Sequence, residues 1–222
     1  MGSDGQVSIR VWDLPTRVFH WSLLAAVGVA WWSITVHDLI IHRTAGAVVA
    51  GLLVFRLWWG LFGGSTARFR DFLKGPVTVL RYARSLAGKS PHATGHNPMG
   101  GWSVVALLAA LLATVSFGLF AVDVDGLESG PFASLVSFED GRLASRLHDM
   151  GFDALKVLVV LHLGAIAFYA VFKRENLVRP MINGQKVLGA EAVALRPARI
   201  WALGVGLALG VGVTGLLIRL NG

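Results

Sequence analysis

Apolar residues run along this chain in blocks longer than a soluble helix or strand requires. A helix that crosses a bilayer needs about 20 mostly apolar residues. Five stretches reach that length: residues 18–36, 41–62, 102–122, 147–172 and 200–220. The third and fifth are the cleanest, whereas the first, second and fourth carry histidines or charges. The first does not read as a signal peptide, because no small-residue cleavage site follows it and the second begins within a few residues. Between the second and third stretches the period changes. Phe69, Phe72, Leu73, Val77, Leu80, Ala83 and Leu86 recur at helical spacing, with Lys74, Arg81 and Arg84 between them. That pattern predicts an interfacial amphipathic helix, with Gly75-Pro76 at a bend or start. The segment then ends in Gly95-His96-Asn97-Pro98-Met99-Gly100-Gly101, a turn composition leading into the third stretch. No repeat of 20–50 residues and no separate soluble domain is visible, so the fold class is an all-α membrane protein.

Composition sharpens this. Of 222 residues, 55% are hydrophobic and 15% charged, against about 25% charged in a soluble domain. Cysteine is absent, which excludes disulfides, thiolate zinc sites, iron–sulfur clusters and a covalently attached c-type haem. The net charge of +7 would suggest nucleic acid in a soluble protein, but its distribution is topological. Arg68, Arg70, Lys74, Arg81, Arg84 and Lys89 lie between stretches two and three, and Lys173, Arg174, Arg179, Lys186, Arg196 and Arg199 between four and five. Between three and four the balance reverses, with Asp123, Asp125, Glu128, Glu139 and Asp140 against Arg142 and Arg146. Lys and Arg remain on the cytoplasmic side. The N-terminus is therefore expected inside, the acidic loop outside, and the basic segments against anionic lipid headgroups rather than nucleic acid.

Ionisable groups at membrane depth point to function. Four of the seven histidines, His20, His42, His148 and His162, fall in or at the ends of spans, while His37, His92 and His96 lie in connections. His148 and His162 are fourteen residues apart, which puts them within about 40° of one helix face and roughly 21 Å apart along the axis. Depth then pairs His20 with His162 and His42 with His148. Two pairs at two depths suit two six-coordinate haems, each iron taking one imidazole from span four and one from a neighbour. Without cysteine the haems would be b-type. Gly46, four residues after His42, and Gly151, three after His148, leave room for a flat porphyrin against the backbone. Arg17 and Arg56 are placed to pair with haem propionates or hold a quinone; anchoring at a positive-inside helix end is the alternative. A lone membrane histidine is often a satisfied interhelical hydrogen bond, but four in two layers point to ligands. A metal transporter would cluster them with carboxylates at one midplane site. Asp153 and Lys156 read either as an ion pair or as compensation for cofactor charge.

The ordered set Arg17-Val18-Phe19-His20-Trp21, His42 with Gly46, Phe55-Arg56-Leu57-Trp58-Trp59-Gly60, the 95–101 turn, His148 with His162, and Glu175-Asn176-Leu177-Val178-Arg179-Pro180-Met181 resembles the bacterial cytochrome b561 and nickel–iron hydrogenase cytochrome b family. The gamma subunit of membrane formate dehydrogenase is a distant relative. The resemblance covers about residues 10–187. It implies a four-helix transmembrane bundle holding two haem b groups, with His20 and His162, and His42 and His148, as iron ligands. It also implies exchange with the quinone pool, near Asn97 with His96 and Gly100; a helix-capping turn is the alternative reading of that segment. Residues 188–222 would form an extra C-terminal transmembrane helix, whose Gly206-xxx-Gly210 spacing suits docking on the bundle or on a second copy in a homodimer.

The leading expectation is a multi-pass cytochrome of the bacterial inner membrane. It would carry electrons between a periplasmic redox partner (cytochrome c, hydrogenase or dehydrogenase) and quinone. A stand-alone superoxide:quinone oxidoreductase is the second reading, and a haem-free anchor or metal transporter the third.

Overall fold

In the computed structural model the described residues are 6–86, 95–124, 128–189 and 193–220; Lys89, His92 and Asp125 lie outside them. The described elements are β1 (Gln6–Arg10), α1 (Leu14–Thr35), α2 (Leu39–Phe62), α3 (Phe69–Phe72), α4 (Pro76–Ser85), α5 (Pro98–Phe120), a 3-10 turn (Ala133–Leu135), α6 (Phe138–Phe172), α7 (Val178–Asn183), β2 (Gln185–Gly189) and α8 (Ile200–Leu220). Five of these, α1, α2, α5, α6 and α8, are long and apolar enough to cross a membrane, and the protein is a multi-pass membrane protein.

Four of the five begin earlier than the apolar pattern indicates, because polar residues start them. Asp13 Oδ1 accepts the Thr16 N–H at 2.8 Å ahead of α1. Asp38 Oδ1 accepts the Ile41 N–H at 2.9 Å ahead of α2. Asn97 Oδ1 accepts the Gly100 N–H at 2.7 Å ahead of α5, and Ser137 Oγ accepts the Asp140 N–H at 3.1 Å ahead of α6. Each satisfies an amide that the first turn leaves without a partner. The largest extension is in α6. Its 35 residues make a helix about 52 Å long, well beyond a hydrocarbon layer of about 30 Å. The expected amphipathic segment is two helices, α3 and α4, with Pro76 in the first turn of the second, where its fixed φ and missing N–H are tolerated.

One element is absent from the all-α expectation. β1 and β2 form a two-stranded antiparallel ribbon, in register from Gln6 opposite Gly189 to Arg10 opposite Gln185. β2 runs through the 187–188 boundary drawn from sequence. Turn chemistry closes the ribbon. Gly184 ends α7 at φ 80°, a left-handed conformation suited to glycine, and its carbonyl accepts the N–H groups of Val11 at 2.8 Å and Trp12 at 3.2 Å.

The chain divides into two compact units. The first comprises residues 1–18, 57–105 and 161–204. Its core includes Val11, Trp12 and Leu188 with Ile9 and Met181 packed on them. Asp13 accepts the Trp59 indole N–H at 3.2 Å, and the Trp58 indole N–H donates to Ala202 O at 2.8 Å. The second comprises residues 19–56, 106–160 and 205–222. Ala47, Ala50 and Leu217 are its buried cluster. Here α8 lies on α2: a Cβ on Gly210 would stand 2.9 Å from Gly51 O, and one on Gly51 would overlap Thr214 Oγ1 and Gly210 O. Gly210 of the fifth span therefore serves packing within the chain.

Candidate functional site

His42 and His148 are brought together in the second unit. Their ring centroids are 6.0 Å apart and their planes meet at 84°. Neither ring turns freely. His42 Nδ1 is 2.9 Å from Ala30 O, and His148 Nδ1 is 2.8 Å from Thr114 O. A carbonyl only accepts, so each Nδ1 is the protonated nitrogen and each Nε2 keeps its lone pair. This second-sphere bond orients a metal-ligating histidine and raises its basicity.

Both rings line a cavity of about 470 Å³, walled by apolar side chains such as Val27, Trp31, Leu111, Val115, Phe152 and Leu155. That volume is within the range of ordinary cofactor pockets, about 300–1,000 Å³. A Cβ at Gly46 would meet nothing within 4 Å, which fits the expected free space beside His42. Gly151 differs from expectation. A Cβ there would stand 2.6 Å from Thr114 Oγ1, so this glycine admits α5 against α6 rather than a flat ring. The glycine that faces the imidazole is Gly118, whose Cβ would stand 2.8 Å from His148 Nδ1. Polar residues also line the cavity, among them Asp123, Ser145 and Asp149. Arg43 is ion-paired with Glu128, and Arg142 Nη1 donates to Val122 O at 2.9 Å.

The remaining sequence candidates have varied settings. His20 lies in the second unit, edge-on to Trp21 at 5.1 Å, and His162 is half-buried in the first. Their pairing rests on sequence depth. Arg56 is 3% exposed, with its guanidinium carbon 6.0 Å from the Phe19 ring centroid. That burial distinguishes it from an exposed anchor at a helix end. Arg17 Nη1 donates to Ile182 O at 2.5 Å, which ties α1 to α7. His96 is packed between Trp12 at 4.6 Å and Phe72 at 4.5 Å. Asn97 caps α5, and its Nδ2 also donates to the Tyr169 hydroxyl at 2.9 Å. Asp153 and Lys156 are ion-paired at 2.7 Å and both largely exposed, which takes them away from the His42–His148 cavity.

Comparison with known proteins gives the family. The family model described as prokaryotic cytochrome b561 matches residues 11–184. The chain belongs to the prokaryotic cytochrome b561 family. It is similar to three proteins, each described as a probable Ni/Fe-hydrogenase B-type cytochrome subunit. The one from Bradyrhizobium diazoefficiens is 23% identical over 65% of this chain and 64% of its own length. That from Rhizobium leguminosarum bv. viciae is 20% identical over 81% and 89%, and that from Azotobacter chroococcum 22% over 82% and 90%. No solved structure matches the chain. As a b561-family protein it is a membrane b-type cytochrome, and the family implies haem b. The donor set present fits that group. A metal–imidazole bond is about 2 Å, so two imidazoles on opposite sides of one ion have ring centres roughly 6 Å apart. Soft thiolate donors are absent from the chain, and neutral imidazole suits iron.

Sequence reasoning did not find Gly118, or the carbonyls of Ala30 and Thr114. It also did not single out Tyr82 and Tyr169. One signal was available for the last: Tyr169 follows His162 by seven residues, which returns it to the same helix face.

Proposed function

We propose that this cytochrome is a two-haem conduit passing electrons between a redox partner at its acidic end and quinone at its basic end. His42 and His148 hold one haem b, and His20 and His162 hold the second. The observation that carries the reading is the His42–His148 pair: two imidazoles 6.0 Å apart, each locked by a backbone carbonyl, on an apolar cavity. When bound, haem supplies reversible one-electron chemistry, which no side chain of this protein offers.

The chain's own residues supply position and environment. Ala30 O and Thr114 O fix the tautomer of both ligands, so that each Nε2 is available to iron. The apolar wall limits water and lowers the local dielectric, which influences the potential of a bound cofactor. Gly46 keeps space beside His42. Arg56, buried at 3%, and Arg17 supply positive charge for propionates or a quinone oxygen. At the basic end, Asn97 with His96 and Gly100 marks the quinone region. The charge asymmetry of the connections supports an inner-membrane protein with its N-terminus in the cytoplasm. On that reading Asp123, Glu128, Glu139 and Asp140 face the periplasm. The relatives' descriptions as hydrogenase cytochrome subunits favour a hydrogenase-type subunit as the periplasmic partner over a soluble cytochrome c.

The deciding experiment is haem extraction from the purified chain, with a reduced-minus-oxidised spectrum. Two non-covalent b haems per chain are expected. A single haem, or none, would overturn the reading.

A further inference from the structure

Tyr82 and Tyr169 are the only two tyrosines in the chain. They come from α4 and α6, both are buried, and their hydroxyls meet at 2.8 Å. Asn97 completes the group, donating from Nδ2 to the Tyr169 hydroxyl at 2.9 Å. The amide orientation is decided by Gly100, whose N–H donates to Asn97 Oδ1 at 2.7 Å. With that oxygen accepting, the nitrogen is the atom facing Tyr169.

Counting hydrogens leaves a remainder. Two phenols carry two hydroxyl hydrogens, and one of them lies between the two oxygens. Whichever ring donates, the other hydrogen has no acceptor among the described residues. Buried polar hydrogens are satisfied in the great majority of cases, so the spare hydroxyl hydrogen of this buried pair points to an external acceptor.

Position identifies its chemistry. Tyr169 stands two turns beyond His162 on the same face of α6, about 10 Å along the axis. Tyr82 belongs to the amphipathic helix, whose Val77 and Leu80 are exposed as a stripe for lipid. A ligand that reaches this group from a bilayer is apolar and offers an uncharged oxygen as acceptor. We propose that the Tyr82–Tyr169 pair, oriented by Asn97, donates the hydrogen bond that holds a carbonyl oxygen of the membrane quinone. This assignment rests on the quinone exchange proposed above and names the side chains that perform it.

Two measurements on the haem-loaded protein in detergent test it. Decylubiquinone is titrated into the oxidised protein, with binding read from quenching of tryptophan fluorescence, and dithionite-reduced haem is then reoxidised by the same quinone. Tyr82→Phe and Tyr169→Phe are each expected to weaken binding about tenfold, with haem content and reduced spectrum as in the parent protein. Lys173→Gln removes a different tie between the ends of the same two helices, the Lys173 Nζ bond to Leu86 O at 2.5 Å, and is expected to keep the parent affinity. If both phenylalanine variants bind as the parent does, the proposal is wrong. If Lys173→Gln weakens binding as much as they do, the hydroxyls have a structural role only and the proposal is also wrong. If neither decylubiquinone nor menadione binds the parent protein or reoxidises its haem, the quinone reading itself falls, and this assignment with it.

Discussion

Around His42 and His148 the chain leaves space; around Trp12 and Asp13 it leaves none. The first region is a cavity of about 470 Å³ whose exposed wall is mostly apolar, with His42 and His148 facing each other in it. The second is filled. Val11 is 1% and Trp12 8% exposed, Asp13 accepts both the Thr16 amide and the Trp59 indole, and a Cβ on Gly64 would stand 2.6 Å from Asp13 Oδ2. An unfilled cavity costs stability because its lining has no contact partners. Such a cost persists where the space belongs to a ligand. The contrast therefore separates residues that hold a cofactor from residues that hold the fold, and substitutions in the two regions should move different measurements.

The largest effect is expected at the ligand. His148→Ala removes one of the two imidazoles and leaves Thr114 O without its ring partner. Haem content should fall from about two per chain to about one, because loss of an axial ligand removes the principal attachment of a non-covalent haem. His42→Ala should give the same spectrum as His148→Ala, since both remove one haem. If the two variants lost different haems, the pairing would be wrong.

A smaller effect of the opposite kind is expected at Asp13. Asp13→Ala deletes the cap of α1 and the acceptor facing Trp59. Loss of a capping carboxylate costs about 1–2 kcal/mol, so the melting temperature in detergent should fall by several degrees. The absorbance and potential of the His42–His148 haem should remain as in the parent protein. A changed potential would mean that the polar cluster tunes the cofactor, and the division of labour argued here would be lost.

Much of this was readable in the sequence, and the gaps have physical causes. The five spans follow from apolar length alone, and the His42–His148 encounter followed from helix geometry and depth. Their starts did not, because Asp13, Asp38, Asn97 and Ser137 are polar residues that the apolar pattern ends before. The ribbon was also missed. It pairs residues 6–10 with 185–189, and a local pattern carries no information about so distant a partner. Gly151 was assigned to the cofactor on spacing from His148, but spacing does not reveal that Thr114 of another helix occupies its open side. The tyrosine pair escaped for the same reason: Tyr82 and Tyr169 are 87 positions apart, and only the fold brings their oxygens to 2.8 Å.

The finest test uses two glycines of the cavity region. Gly46→Ala adds a methyl group where nothing stands within 4 Å. Because that space is the one proposed to hold a flat ring beside His42, the methyl should lower haem content, while the His148–Thr114 bond, and with it the potential of the haem that remains bound, should stay close to the parent values. Gly118→Ala adds the same group 2.8 Å from His148 Nδ1. The imidazole must then shift by roughly half an ångström or more to restore ordinary contact, and its bond to Thr114 O lengthens. The strain is about 1 kcal/mol, the low end for overpacking, which is too little to expel haem. It acts on the ligand's electronics instead. A weaker Nδ1–H bond makes the imidazole a poorer donor to iron, which destabilises the oxidised state, so the midpoint potential of this haem should rise. A redox titration resolving the two haems would show one moving and the other still. Equal shifts in both variants would mean that cavity volume, rather than the carbonyl bond to His148, sets the potential.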